Sequence, residues 1–309
     1  MSVTGNSLLG LYDRTTLTYS RAKTRKRSQF AGIRHDQVLN SEGTGLSLSI
    51  SYSRSEPGDV LKDLDLFSES TALSAEVTHP VLRSRNANVK LSAGFTYREV
   101  DSDAVSARLF RDRLSVVSLG VSAAFTDPWN GRAAMELKIH KDLDVFKASA
   151  EGDRHLTRAD GSGAFVKLTG SLSRTQHLGG GLSLHLAATG QLASRALLAS
   201  EEFAFGGARF GRAYDPSELT GDHGGAVVAE IRYTDQPDLK FLNFYQLYGF
   251  WDLGATYDIG AEGSDAKRSG ASAGLGLRFG LTDTVSGQLE LAKPLTRPVA
   301  LEDNGKAAR

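Results

Sequence analysis

Two charged residues stand out because their types and positions would allow them to bind each other. Arg212 lies in the glycine-rich stretch FGGARFGRAYD, and Asp252 lies forty residues later in FWDLG. A planar guanidinium can hold a carboxylate through two charge-assisted hydrogen bonds, so such a pair could fasten one segment of the chain to another. We therefore predict an ion pair between Arg212 and Asp252.

The residues around Asp252 indicate the element that positions it. Successive side chains of a strand point to opposite faces, and the tract from Asn243 to Ala255 separates cleanly on that period. One face holds Tyr245, Leu247, Trp251 and Leu253, and the other holds Gln246, Tyr248, Asp252 and Gly254. The first face suits lipid. A carboxylate on such a strand must face a polar interior, where a loop arginine can compensate its charge.

The same period of two recurs through most of the chain. Examples are Leu46, Leu48, Ile50 and Tyr52 in GLSLSISYSR, and Ala271, Ala273, Leu275, Leu277 and Phe279 near the end. Tight turns such as NSEGTG alternate with longer connections such as DSDAVSARLF and the segment from Asp142 to Gly161. A soluble sandwich has no reason to sort its connections in this way, whereas an outer-membrane barrel does. The pattern predicts an all-β fold, a transmembrane antiparallel β-barrel with about thirteen strands of roughly ten residues.

Composition excludes several other classes. Lys and Arg total 36 and so do Asp and Glu, so no basic excess points to nucleic acid. Cysteine is absent, which rules out disulfides and zinc–thiolate sites, and no apolar run is long enough for a transmembrane helix. The start, MSVTGNSLLGLYDR, lacks the pattern of a signal peptide, so either the protein is not exported or this chain lacks its natural beginning.

Catalytic and cofactor motifs are also lacking. The seven histidines have no ligand-like spacing, no serine sits in a GxSxG elbow, and the glycine-rich spots do not match a phosphate loop. We interpret Asp142, Asp144 and Glu151 as solvated loop charges. The sequence predicts no enzyme, no cofactor and no metal.

The two motifs together resemble a known family. FGGARFGRAYD is similar to the loop motif written V-R-G-F or V-R-G-Y in transporters of the two-partner secretion family, of the haemolysin secretion and activation type, and FWDLG is similar to their F-x-D-x-G strand motif. NSLLGLYDRTTLTYS and ELAKPLTRP resemble further segments of that family, which shares an outer-membrane superfamily with the barrel-assembly proteins. Gly211 replaces the motif's valine and Ala213 its glycine.

The resemblance implies a sixteen-stranded barrel into whose lumen the long loop, residues 195–223, folds back. The implied site combines a loop motif with its partner on the barrel wall: Gly206, Gly207, Gly211, Arg212, Ala213, Tyr214 and Asp215 in the loop, and Phe250, Asp252 and Gly254 on the wall. Within residues 1–309 we expect a barrel domain that lacks its first two strands, its last strand and the periplasmic POTRA domains of the family.

The implied function is secretion of a large partner exoprotein of the haemolysin or adhesin type, in extended form, across the bacterial outer membrane. We expect a monomeric barrel in contact with outer-membrane lipid and no nucleic-acid partner. A protein-assembly factor of the same superfamily, a passive porin and a membrane-embedded enzyme remain as alternatives.

Overall fold

The computed structural model describes residues 1–22, 27–56, 67–104, 107–261, 263 and 266–297, which form an all-β structure. Its sixteen strands, in chain order, are β1 Ser2–Asn6, β2 Arg14–Arg21, β3 Arg27–Val38, β4 Gly45–Glu56, β5 Phe67–Arg83, β6 Ala87–Ala104, β7 Ala107–Thr126, β8 Gly131–Asp142, β9 Val166–Gly179, β10 Leu182–Ala193, β11 Phe203–Phe205, β12 Leu219–Gly221, β13 His223–Asp235, β14 Phe244–Tyr257, β15 Lys267–Gly280 and β16 Ser286–Pro294.

Fourteen of these strands form one antiparallel sheet in chain order. Only β11 and β12 stand apart as a two-stranded ribbon, so β10 pairs directly with β13. The sheet has one strand more than the thirteen that periodicity predicts. The additional strand, β1, pairs with β2 because the intervening turn is closed by Asp13, whose carboxylate accepts hydrogen bonds from the backbone N–H groups of Leu8 and Leu9.

The sheet has an apolar face and a polar face, as its period of two predicts. Large side chains of the apolar face are widely exposed; they include Ile33, Leu48, Ile50, Leu73, Leu91, Leu119, Val121, Leu137, Ile139, Leu168, Leu247 and Trp251. In water this much exposed apolar surface would be unfavourable, whereas in a bilayer it contacts lipid tails. No helix among the described residues is long and apolar enough to span a membrane.

The types of side chain on the polar face, and their burial, differ between the first and the last strands of the sheet. Between β3 and β10 serine and threonine are frequent, and pairs such as Ser49 and Ser74 hydrogen-bond across neighbouring strands at 2.7 Å. Charged side chains stand among them, and on β8 these are Arg132, Glu136 and Lys138. Between β13 and β16 it carries charged and aromatic side chains that are largely buried, among them Glu230, Tyr248, Phe250 and Asp252. The covering element there is the segment between β10 and β13.

Two connections differ from the sequence-based predictions. The stretch from Asp101 to Phe110, predicted as a loop, continues β6 and β7 as a long hairpin on both sides of residues 105–106, which lie outside the described part. Asp142 is only 6% exposed, so its interpretation as a solvated charge is wrong. It ends β8, and its Oδ1 accepts a hydrogen bond from the backbone N–H of Ser115 at 2.8 Å because β7 extends beyond β8.

Candidate functional site

The site is built on the connection between β10 and β13, here called the inner segment and comprising residues 194–222. Its two strands pair so that Phe203 faces Gly221 and Phe205 faces Leu219. The intervening tip turns back through Gly206 and Gly211, whose φ angles of 119° and 79° are unfavourable for residues with a side chain. A hydrogen bond of 3.1 Å from Gly207 N to Tyr214 O closes the tip.

The tip is packed onto the polar face of β13 to β15. Phe205 is fully buried, and a Cβ atom added at Gly254 would lie only 2.1 Å from its ring. Gly254 is therefore required for the close approach of the inner segment to β14. Tyr214 packs beside Phe205, with ring centroids 5.8 Å apart, and its hydroxyl donates a hydrogen bond of 3.0 Å to the backbone oxygen of Ala271 on β15.

The structure brings Arg212 and Asp252 together. The guanidinium donates from Nε to Oδ2 at 3.2 Å and from Nη2 to Oδ1 at 3.0 Å, which is a two-pronged pair. The backbone N–H groups of Gly211 and Arg212 also donate to Oδ2, at 3.1 Å and 3.0 Å, and so does the hydroxyl of Ser272 at 3.2 Å. Asp252 is fully buried, so these donors replace its hydration shell.

Further carboxylates and arginines surround this pair. Arg212 Nη1 donates to Glu230 at 2.8 Å and to Glu290 at 3.4 Å. Glu230 in turn accepts from Arg232 at 2.6 Å and from Arg278 at 2.9 Å. With Asp252, three carboxylates face three arginines, so the charges are balanced within this network, in which the side chains of Asp252, Glu230 and Arg212 are buried and those of the other three members half-buried.

Aromatic rings complete the surroundings of the guanidinium. The carbon at its centre lies 3.4 Å from the ring centroid of Phe250, a cation–π contact, and Arg278 stacks in the same way on Tyr248 at 3.8 Å. The Tyr248 hydroxyl donates to Glu290 at 2.7 Å. Ala213, which replaces a glycine of the motif, is fully buried in a cluster with these two rings.

The other loop residues named from the sequence shape the tip. A Cβ atom at Gly206 would lie 2.1 Å from the backbone oxygen of Asp215, and one at Gly207 would meet Pro216 at 3.4 Å. The Asp215 carbonyl accepts from Glu218 N at 3.1 Å. Gly206, Gly207 and Asp215 thus determine the course of the backbone, while Arg212, Ala213 and Tyr214 make the contacts with the wall.

A second attachment lies at the base of the inner segment and was not predicted. Asp222, fully buried, accepts hydrogen bonds from the backbone N–H groups of Leu197 and Ile259, each at 2.7 Å, and from Arg158 Nη1 at 2.7 Å. Arg158 belongs to the connection between β8 and β9, and the same nitrogen donates to Glu202 at 2.8 Å. This attachment joins the inner segment to two other connections, the one between β8 and β9 and, through Ile259, the one between β14 and β15, whereas the first joins a loop to the sheet.

Sequence reasoning missed Glu290, Arg278, Phe205 and the base attachment. Arg278 and Glu290 could have been found, because both alternate with apolar residues on their strands and so belong to the polar face. Arg158 and Asp222 lie in irregular segments, where no periodicity indicates a partner. No cluster of three or more His, Asp or Glu side chains that could hold a metal ion occurs in the described ranges.

An antiparallel sheet with a lipid-suited face, a polar opposite face and a long loop fastened to that polar face defines the class of outer-membrane β-barrels. The family follows from the sequence. The model of the haemolysin secretion/activation proteins ShlB/FhaC/HecB matches residues 1–279, and the chain belongs to this family. The predicted family, fold class and outer-membrane location are confirmed.

Solved structures show the same fold. CdiB from Escherichia coli aligns with a TM-score of 0.82 at 17% identity, covering 96% of this chain and 55% of that protein. CdiB from Acinetobacter baumannii aligns at 0.74 and 17%, covering 96% and 53%. BamA from Haemophilus ducreyi, lacking POTRA domains 1–3, aligns at 0.67 and 12%, covering 96% and 64%. The chain thus spans little more than half the length of the CdiB proteins. No curated protein sequence matches it.

Proposed function

We propose that the chain forms the barrel of an outer-membrane transporter that passes a large partner exoprotein, of the haemolysin or adhesin type, from the periplasm to the cell surface. The observation that carries the proposal is the attachment of the inner segment to one side of the polar face through Arg212 and Asp252. Family membership supports it, because the matching proteins are named for haemolysin secretion and activation.

The part of the polar face between β3 and β10 and the part between β13 and β16 would have different roles in transport. The inner segment covers β13 to β15, and its tip residues Arg209 and Phe210 border a cavity of about 680 Å³ that is also lined by β6 to β10. Much of that lining is polar or charged: Arg83, Asn88, Lys90, Ser122, Glu136, Ser171, Ser173 and Thr189. Small polar groups offer an extended polypeptide few apolar contacts that would retain it. The exoprotein would therefore pass along the hydroxyl-rich side while the inner segment shapes the passage.

The test is Arg212→Ala in the full-length parent protein, with Arg209→Ala as the matched control. Arg209 lies three residues earlier in the same tip, is exposed, and has no ion pair among the described residues. Removing one partner of a buried pair costs about 3–5 kcal/mol, enough to release the tip. We expect Arg212→Ala to reduce exoprotein secretion at least about ten-fold while the barrel stays in the outer membrane. The control variant, Arg209→Ala, should secrete the exoprotein like the wild type.

Wild-type secretion by Arg212→Ala would overturn the proposal. The alternatives give different results in the same strains. A passive porin would show solute-selective conductance and no effect of the substitution on any exoprotein. An assembly factor would show reduced amounts of other outer-membrane barrels and no secretion defect of its own.

A further inference from the structure

The apolar face of the sheet ends abruptly towards the long-connection side, which in outer-membrane barrels is the extracellular side. Along β6 its side chains are Leu91, Ala93, Phe95, Tyr97, Glu99 and Asp101, in that order. Along the paired β7 they are Val121, Leu119, Val117, Ser115, Arg113 and Arg111. The change from aliphatic to aromatic to charged residues places the boundary between lipid and water at Tyr97.

A third aromatic ring lies at this level. Phe146, in the connection between β8 and β9, makes edge contacts with Phe95 and Tyr97, each with ring centroids 6.2 Å apart, and remains 68% exposed. Aromatic rings are enriched where membrane meets water, since their amphipathic bodies suit the headgroup level. Phe146 therefore places the segment that follows it beside the headgroups of the outer leaflet.

That segment and the end of β7 enclose a small cavity with a basic lining. Its volume is about 250 Å³, and its lining contains five basic side chains: Arg108, Arg111, Arg113, Lys147 and Arg154. The remaining lining residues are Ser149, Asp153 and His155. Five cations around one small opening favour an anionic ligand to the extent that nearby carboxylates do not already compensate them.

The protein's own carboxylates neutralise only part of this charge. Glu99 pairs with Arg111 and, at 3.0 Å, with Arg113, while Asp101 lies 3.3 Å from Arg111 and 3.5 Å from Arg108, and Asp103 lies 3.9 Å from Arg108. All three arginines of β7 are therefore paired. Asp153 accepts a hydrogen bond from the backbone N–H of Ala150 at 2.8 Å. Neither Lys147 nor Arg154 has a carboxylate within 4.0 Å in the part of the chain that the structure describes, so these two cations are available to a ligand.

We propose that this cavity, the basic rim, binds the phosphate groups of an outer-leaflet glycolipid, that is, of lipopolysaccharide. The position directly above the aromatic rings matches a headgroup whose acyl chains lie against the apolar face of β6 and β7. Guanidinium groups suit phosphate because their planar fork donates two hydrogen bonds at once. Basic pockets between transmembrane helices bind anionic lipid headgroups on the cytoplasmic side of membranes, and the same charge complementarity applies to a phosphorylated lipid on the outer side. The proposal rests on the outer-membrane location and is independent of the transport function.

The test compares lipid binding by the wild-type chain and by the double variant Lys147→Ala/Arg154→Ala. These substitutions remove the two cations that lack a partner and leave no carboxylate without one. The matched control, Arg83→Ala/Arg85→Ala, removes two basic residues at the opposite, short-turn end of the sheet. Purified protein in mild detergent would be titrated with lipopolysaccharide, with the same lipid after removal of its phosphates, and with inorganic phosphate, using native mass spectrometry.

Each basic residue near a charged lipid surface contributes about a five-fold change in affinity, so the double variant should bind lipopolysaccharide about twenty-five-fold more weakly. The control should bind like the wild type, and the dephosphorylated lipid should bind weakly to all three proteins. Equal binding of the two lipids, or wild-type affinity in the double variant, would overturn the proposal. If inorganic phosphate bound as tightly as lipopolysaccharide, the proposal would also be overturned, because the site would then recognise the phosphate ion alone and not the lipid.

Discussion

Two buried aspartates fasten the inner segment, and they do so by different means. Asp252 belongs to a strand and receives five donors from a loop arginine, two loop amides and a neighbouring serine. Asp222 belongs to the loop itself and receives two backbone amides and an arginine of another loop. The tip is thus held by a rigid wall, whereas the base is held by two partners that are themselves loops.

This difference shows which part of the segment is fixed relative to the membrane. Strand side chains are positioned by a continuous ladder of hydrogen bonds, so the position of Asp252 is determined by its register with β13 and β15. The position of Arg158 depends on the connection between β8 and β9. We therefore expect changes at the tip to have larger effects than changes at the base.

The largest effect is expected for Asp252→Ala, which leaves the buried Arg212 without its main partner. The broken ion pair costs about 3–5 kcal/mol, and the backbone amides of Gly211 and Arg212 also lose their acceptor at about 1–3 kcal/mol each. Together these losses correspond to an increase of at least about a hundred-fold in the population of the released tip. Limited trypsin digestion of the detergent-solubilised protein measures this population, because Arg209 at the tip is a cleavage site. Cleavage after Arg209 should accelerate strongly. An unchanged rate would show that aromatic packing alone holds the tip.

Asp222→Ala should increase trypsin cleavage less than Asp252→Ala does, and the increase should occur at the base of the inner segment and not at its tip. It leaves the amides of Leu197 and Ile259 without an acceptor at a cost of about 1–3 kcal/mol each, but Arg158 keeps Glu202 and Asp160 as partners. We expect faster cleavage after Arg195, near the base, and little change after Arg209. Each aspartate variant is the other's control. Equal acceleration at both sites in both variants would mean that the segment opens as one unit.

How far the sequence predicts this arrangement depends on the type of segment. Alternation predicted that Asp252 faces the polar side, and charge compensation then suggested Arg212, because a strand offers only two faces. The packing of Phe205 against Gly254 could not be predicted, since it depends on how closely the loop approaches the wall. The base attachment was also beyond prediction, because Arg158 and Asp222 are 64 residues apart in irregular segments.

The smallest expected effect is a change in stability on replacing Glu202, whose carboxylate, like that of Asp222, accepts a hydrogen bond from Arg158. Burial raises the pKa of the Glu202 carboxyl above its usual value of 4.5, and the nearby Arg158 only partly opposes this. A carboxyl group whose pKa is higher in the folded than in the unfolded state stabilises the folded state. This contribution is complete below the unfolded-state pKa and is lost as the pH rises through the folded-state pKa. Glu202→Gln, which mimics the neutral acid, should therefore be slightly more stable than the wild type at neutral pH.

The difference in stability between the two proteins should vanish as the pH falls well below 4.5, where Glu202 is protonated in both the folded and the unfolded state. The difference between their urea unfolding midpoints, measured at each pH, isolates this group from the other carboxylates. A Gln variant that is less stable at neutral pH would show that the ion pair with Arg158 outweighs burial. The base would then resemble the tip, where the buried charges are fully compensated by their partners.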